Sequence, residues 1–187
     1  MRVRLPKIVD DIDERADTLL DPVRGNPMLD RVFYAASQFG DFSLAWHLVN
    51  VGLVVLGVRS RKQAVRFAVL LGAESLIVNQ GVKRLFQRER PQFDGDHPHH
   101  VRTPSTSSFP SGHASSAMFA SQLLIVEHPR LRWVFRGIAA VVATSRPYVR
   151  AHHASDIAAG AVTGAALAAL ARPLIRYEGE PIGEHDQ

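Results

Sequence analysis

Five stretches of the chain are almost free of charge: residues 42–58, residues 67–82 with Glu74 as their single charge, residues 114–126, residues 133–145 interrupted by Arg136, and the Ala-rich residues 157–171. Their composition predicts five helices. Each is at or below the length of about 17 to 25 residues that a membrane span requires, so length alone also allows buried helices of a soluble bundle. Three features favour lipid. Five apolar segments in 187 residues exceed what one small soluble core needs. They carry basic flanks, Arg59-Ser60-Arg61-Lys62 and Arg130-Leu131-Arg132. Gly160 and Gly164 stand in the Gly-x-x-x-Gly spacing that lets helices approach closely in a bilayer. The fold expected is an all-α integral membrane bundle of about five transmembrane helices.

The flanks read differently. Residues 1–41 are polar and mixed, with Asp10, Asp11, Asp13, Glu14 and Asp17 close together. An acidic group of this kind reads as a solvated helix face rather than a metal site. Leu29, Val32, Phe33 and Ala36 follow at helical spacing, which predicts a short amphipathic helix lying on the membrane interface and able to guide a lipid inward. The expected organisation is therefore an interfacial segment over 1–41, a transmembrane catalytic domain over 42–176, and a polar, disordered tail over 177–187. No secretory signal is visible at Met1-Arg2-Val3-Arg4-Leu5-Pro6.

Bulk composition narrows little beyond this. Hydrophobic residues make up 46%, the formal net charge is +4, and a mean hydropathy of -0.03 fits either solvent. Cysteine is absent, so disulfides are excluded. A basic chain can serve nucleic acid, an anionic membrane or a phosphorylated substrate. No nucleic-acid motif is present and the cations gather at three motifs described next, so nucleic acid is set aside.

Those motifs hold the parts needed to break a phosphate ester. A phosphoryl group in transfer spreads negative charge over its equatorial oxygens, and fixed cations and aligned N–H donors must meet it. Lys83 and Arg90-Pro91 supply two cations; were the segment helical through Pro91, both would leave one face about 10 Å apart. Arg146 supplies a third, and a planar guanidinium can bind two phosphate oxygens together. Pro110-Ser111-Gly112-His113 reads as a helix start, whose free N–H groups and positive dipole end at Ser111, Gly112 and His113 suit an anion. His113 then stands where a leaving oxygen needs a proton. His152 and Asp156 have i,i+4 spacing, which on a helix lets the carboxylate hold one ring nitrogen and frees the other to attack phosphorus.

Taken in order, Lys83, six residues, Arg90-Pro91; Pro110-Ser111-Gly112-His113; and Ser145-Arg146, five residues, His152, three residues, Asp156 resemble the type 2 phosphatidic acid phosphatase superfamily, which also includes bacterial acid phosphatases and vanadium haloperoxidases. All three motifs match without a substitution, and the apolar segments around them resemble the family's helical core. The resemblance implies that His152 is the nucleophile that forms a phosphohistidine, Asp156 its orienting carboxylate and His113 the general acid. It assigns Lys83, Arg90, Ser111, Gly112 and Arg146 to phosphate and implies no metal and no cofactor. Spacing selects His152 over its neighbour His153.

The activity expected is hydrolysis of a terminal phosphate from a membrane lipid: phosphatidic acid, a polyprenyl phosphate or diphosphate, phosphatidylglycerol phosphate or a polyprenyl-phosphoryl sugar phosphate. Two alternatives are a non-catalytic lipid-phosphate binding or transport protein and a vanadate-dependent haloperoxidase-like enzyme. The motifs recognise phosphate and are silent on the rest of the substrate and on the oligomeric state. If the five segments cross in turn, the loops at 83–110 and 146–156 share one side, as a common site demands. The opposite loops, 59–66 and 127–136, with Arg172 and Arg176, are basic, which leans toward a cell-membrane protein whose site faces away from the cytoplasm. Residues 1–40, on the site's side, contain six Lys or Arg and weaken that lean. Among the leftover polar residues, the Asp/His-rich stretch 94–100 reads as a flexible polar loop before a metal site, His47 as a satisfied polar group beside Asn50, and Glu74 as a bundle-interior residue of unassigned role.

Overall fold

A computed structural model describes residues 6–93, 97–102 and 106–176. The tail expected to be disordered, and residues 94–96 of the Asp/His-rich stretch, lie outside the described residues. The described chain runs α1 (Lys7–Leu20), α2 (Pro27–Gly40), α3 (Leu44–Val55), α4 (Arg61–Leu76), a π-helical turn (Ile77–Val82), the single turn α5 (Lys83–Leu85), α6 (Gly112–Glu127), α7 (Arg132–Tyr148) and α8 (Ala154–Arg176), with short 3-10 turns between some of them. Each of the five apolar segments falls in its own helix: α3, α4 with its π turn, α6, α7 and α8.

Local chemistry sets several of these boundaries. Asn26 caps α2 by accepting from Met28 N–H and Leu29 N–H, with Pro27 as the first helical residue. Ser60 and Gln63 form a reciprocal capping box at the start of α4. Ser111 caps α6. Arg59, the first residue of a basic flank, is buried and paired with Glu127 at 2.5 Å while donating to Asn50 at 2.8 Å. It ties the α3–α4 turn to the end of α6.

The apolar core joins Trp46, Phe67, Leu71, Phe119, Leu123 and Phe135 across α3, α4, α6 and α7. Polar residues also point inward: Asn50, Glu74, Ser115, Ser116 and Ser121 are buried. The outer faces are apolar, with Val65, Val69 and Leu76 of α4 and Val162, Leu170 and Leu174 of α8 exposed. Two helical stretches, Arg61–Leu85 and Ala154–Ile175, are long and apolar enough to cross a membrane, yet only 22% of each apolar window is buried inside the protein. A core helix of a soluble bundle hides such a window. These two display it, as a lipid solvent demands.

Helices α6 and α8 meet at the glycine pair. A Cβ on Gly160 would lie 2.4 Å from the Ser111 carbonyl oxygen, and one on Gly164 would lie 2.1 Å from that of Ser115. The small-residue spacing therefore does bring two backbones together.

Residues 7–40 form two helices that also pack on the bundle. Asp10, Asp11 and Glu14 are exposed, as a solvated face requires, but Asp13 is buried and bonds into the bundle. Helix α2 forms where its periodicity predicts. Its Leu29 and Phe33 pack on Tyr148 and Val149 at the end of α7, while Val32 and Phe39 stay exposed. Both helices therefore pack against the motif end of the bundle. The helix carrying Lys83 also ends earlier than the one-face expectation assumed: Phe86 is extended, so Lys83 and Arg90 reach the site from a helix end and from a loop.

Candidate active site

His152 sits in the turn between α7 and α8 and is 3% exposed. Its Nδ1 lies 3.6 Å from Asp156 Oδ2, a close contact short of a full hydrogen bond. Arg90 donates to the other ring nitrogen, Nε2, at 3.1 Å and to the Ala151 carbonyl at 2.7 Å. A guanidinium has no lone pair to offer, so Nε2 accepts, and the ring proton belongs on Nδ1, toward the carboxylate. Burial, reinforced by the Arg146 and Arg90 charges and opposed by Asp156, pushes the imidazole down to about 3. The ring is neutral at physiological pH, with its lone pair facing the cations.

Asp156 stands in the first turn of α8, where its Oδ2 accepts from His153 N–H at 2.9 Å. Its Oδ1 accepts from Arg88 at 2.6 Å. Arg88 also donates to Ser155 Oγ at 2.7 Å and to Asp13 Oδ2 at 2.6 Å. Asp13 in turn accepts from Ser155 N–H at 2.8 Å and Ser155 Oγ at 2.7 Å, so a carboxylate from α1 caps the N-terminus of α8. These bonds bolt the carboxylate behind His152 to both α1 and the loop after α5. Arg88 and Asp13 did not stand out in sequence. Arg88 is one of several cations in a basic run, and Asp13 is one of a cluster of acids.

The second histidine enters from α6. Ser111 N–H donates to the Asp156 carbonyl at 3.0 Å, which places the N-terminus of α6 beside that of α8. Gly112 packs without a side chain against Asn79 and Lys83: a Cβ there would lie 2.9 Å from Asn79 Oδ1 and 3.6 Å from Lys83 Nζ. His113 follows, with Nε2 3.1 Å from the Ser37 carbonyl and 3.3 Å from Asp41 Oδ1. Arg146 is 1% exposed and donates to Ser37 Oγ. Lys83 is 7% exposed and follows directly on the π-helical turn Ile77–Val82, a distortion often found where a helix must re-aim a functional side chain. Lys83, Arg90 and Arg146 stand within electrostatic reach of one another.

All eight residues expected at the site thus gather at one end of the bundle, on the same side as each other. Two buried cations, Lys83 and Arg146, the half-buried Arg90 and a helix N-terminus form a receptor that an anion could occupy, with two imidazoles of different surroundings beside it. Among the described residues no cluster of three or more His, Asp or Glu could hold a metal ion. Of the Asp/His-rich stretch, His97 and His99 lie against the Tyr34 ring, with His97 Nδ1 3.1 Å from its hydroxyl.

A helical bundle with this constellation defines a membrane-embedded phosphatase, and the comparisons agree. A sequence model of the PAP2 superfamily matches residues 63–180, and the chain belongs to that superfamily. Decaprenylphosphoryl-5-phosphoribose phosphatase from Mycobacterium tuberculosis is 34% identical over 140 residues, 72% of this chain and 73% of that protein. The Mycolicibacterium smegmatis enzyme of the same name is 33% identical over 136 residues, 67% of this chain and 68% of that one. The fold is similar to the crystal structure of a transmembrane PAP2-type phosphatidylglycerolphosphate phosphatase from Bacillus subtilis, with a TM-score of 0.70 and 23% identity over 97% of this chain and 90% of that one. The chain is a membrane phosphatase of the PAP2 type.

Proposed function

We propose that the chain removes the terminal phosphate monoester of a lipid, with a polyprenyl-phosphoryl sugar phosphate as the best-supported substrate class, through a phosphohistidine at His152. The named substrate of the mycobacterial relatives supports that class, because identity with them spans most of each chain. The observation that carries the mechanism is the neutral, buried His152. Its proton faces Asp156 and its lone pair faces the Arg90 guanidinium, where a bound phosphoryl group would be held.

Lys83, Arg90, Arg146, the Ser111 hydroxyl and the N–H groups of the first turn of α6 from Gly112 onward neutralise the equatorial oxygens, the Ser111 N–H itself being taken by the Asp156 carbonyl. His152 Nε2 forms a bond to phosphorus as the bond to the lipid oxygen breaks, and His113 gives that oxygen its proton. The Nδ1 proton of the now cationic His152 stays facing Asp156. Water, losing a proton to His113, then cleaves the P–N bond and returns the enzyme to its starting state. The basic loops at the far end of the bundle support a cell-membrane protein with its site on the extracytoplasmic side, and the exposed apolar residues Ile8, Ile12 and Leu19 of α1 support an interfacial position for that helix.

The test is release of inorganic phosphate in detergent from a panel holding a polyprenyl-phosphoryl sugar phosphate, phosphatidic acid, phosphatidylglycerol phosphate and a polyprenyl diphosphate. The sugar phosphate should turn over best, and His152→Ala should abolish release from every member. A His152→Ala protein as active as the wild type rejects the mechanism. A flat response across the panel rejects the substrate class.

A further inference from the structure

We propose that Asp41, at the corner between α2 and α3, is a positioning residue for the proton-transfer step: with the Ser37 carbonyl it holds a proton on His113 Nε2, so that the proton given to the leaving oxygen is the one on Nδ1. The inference rests on the acid role proposed for His113 and adds to it a partner and a particular ring nitrogen.

The geometry leaves one tautomer. His113 Nε2 meets the Ser37 carbonyl oxygen at 3.1 Å and Asp41 Oδ1 at 3.3 Å. A carbonyl and an ionised carboxylate only accept, so Nε2 keeps its hydrogen whether the ring is neutral or cationic. The proton that comes and goes must sit on Nδ1. Asp41 stays ionised: burial works against this, but its hydrogen bond to His113 and the charges of His113, Arg146 and Arg102 hold its carboxyl below the usual range.

The backbone is shaped to make this contact. A Cβ on Gly40 would fall 2.4 Å from His113 Cδ2 and 3.0 Å from Nε2, so only glycine lets the end of α2 lie against the ring. Phe42 and Ser43 then take φ of 53° and 58°, two successive left-handed residues with side chains. That conformation is costly outside glycine and persists where the surrounding structure demands it. The sharp corner that results presents Asp41 to His113 while Ser37, one turn earlier, meets Arg146. Residues 37–41 precede the stretch that matches the superfamily model, 63–180, and no motif marks them.

The charged groups facing His113 are Asp41 from the corner after α2 and Arg146 from α7, with Arg102, from the loop before α6, facing the carboxylate. Burial and the Arg146 charge press the His113 imidazole down to about 4, and Asp41 is the anion that opposes them and favours the imidazolium. In the forward step the bond from phosphorus to the alkyl oxygen breaks, His152 Nε2 takes its place on phosphorus, and the Nδ1 proton of His113 passes to the departing oxygen. In the second step Nδ1 takes a proton from water as the P–N bond breaks.

The experiment compares wild type, Asp41→Asn, Asp41→Glu, His113→Ala and His152→Ala on dodecyl phosphate, whose alkoxide needs a proton, and on 4-nitrophenyl phosphate, whose phenolate does not. Asp41→Asn should cut kcat on the alkyl ester about 10- to 100-fold with KM little changed, leave the aryl ester within about threefold, and move the basic limb of the alkyl pH profile downward. Asp41→Glu should recover part of the alkyl rate. Equal losses on both esters, or an unmoved pH profile, overturn the inference while His113→Ala still discriminates between the esters. Retained turnover in His152→Ala would instead sink the phosphohistidine reading on which it rests. Should Asp41→Asn fail to fold, 15N spectra of histidine-labelled wild type, assigned with His113→Ala, decide the matter. Neutral His113 should carry hydrogen on Nε2, and hydrogen on Nδ1 overturns the inference.

Discussion

Arg88→Ala is the perturbation that most directly probes how His152, the proposed nucleophile, is held. The guanidinium satisfies Asp13 and Asp156 at 2.6 Å each and Ser155 Oγ at 2.7 Å, and the two carboxylates are only 4% and 0% exposed. Removing it strands both charges away from water. Breaking one buried pair from one side costs about 3 to 5 kcal/mol. The loss should not double, because Asp13 keeps the N–H and hydroxyl of Ser155 and Asp156 keeps the N–H of His153. Equilibrium unfolding of the detergent-solubilised protein is therefore expected to show a loss of about 3 to 5 kcal/mol. Turnover should fall as well, since Asp156 loses the bond that aims it at His152. A double-mutant cycle with Asp13→Asn isolates the α1 contribution and should return a coupling of about 1 to 3 kcal/mol. A loss under about 1 kcal/mol for Arg88→Ala, or single effects that add to within about 0.5 kcal/mol, would refute the view that α1 is locked to the catalytic helix.

The glycine seam and the pH response are testable in the same way. Gly164→Ala places a Cβ 2.1 Å from the Ser115 carbonyl oxygen and should destabilise by at least about 1 to 3 kcal/mol, whereas Gly137→Ala, which meets nothing within 4 Å, should gain up to about 1 kcal/mol from helix propensity. Equal effects in unfolding measurements would show that α6 and α8 do not meet at the glycines. For His152, the folded ring is pushed down to about 3 against about 6.5 unfolded. Between those values the unfolded chain takes up a proton that the folded one refuses, so stability falls as pH drops below about 6.5, by up to about 1.4 kcal/mol per pH unit. His152→Gln should flatten that slope, and an unchanged slope in unfolding measured from pH 7 to 4 would argue against a neutral buried ring.

Much of this protein is readable along the chain because its causes are local. Apolar runs bounded by Arg, Pro and Gly predict helices α3, α4, α6, α7 and α8, and a helix carries its own backbone hydrogen bonds wherever it packs. The phosphate motifs are legible for a similar reason. A helix start that must face an anion needs Ser111 and Gly112 in sequence, and a histidine backed by a carboxylate on the next turn needs Asp156 four residues on. What the sequence could not separate was one acid or one base from its neighbours. Asp13 is alone among Asp10, Asp11, Asp13 and Glu14 in being buried, because it is the one that meets the N-terminus of α8. Arg88 and Asp41 likewise acquire their roles from partners 68 and 72 positions away along the chain, Asp156 and His113.

The amino-acid sequence alone determined the helices and marked out the three motifs with their cations and pair of histidines, because each depends on residues within a few turns of one another. Only the tertiary structure decided that Asp41 meets the second histidine, that the π turn and the extended segment after Leu85 deliver Lys83 and Arg90 separately, and that the first two helices pack beside the site. Those outcomes turn on burial and on distances between segments remote in sequence, and only the packed bundle, with α8 seated on α6 at Gly160 and Gly164, fixes them.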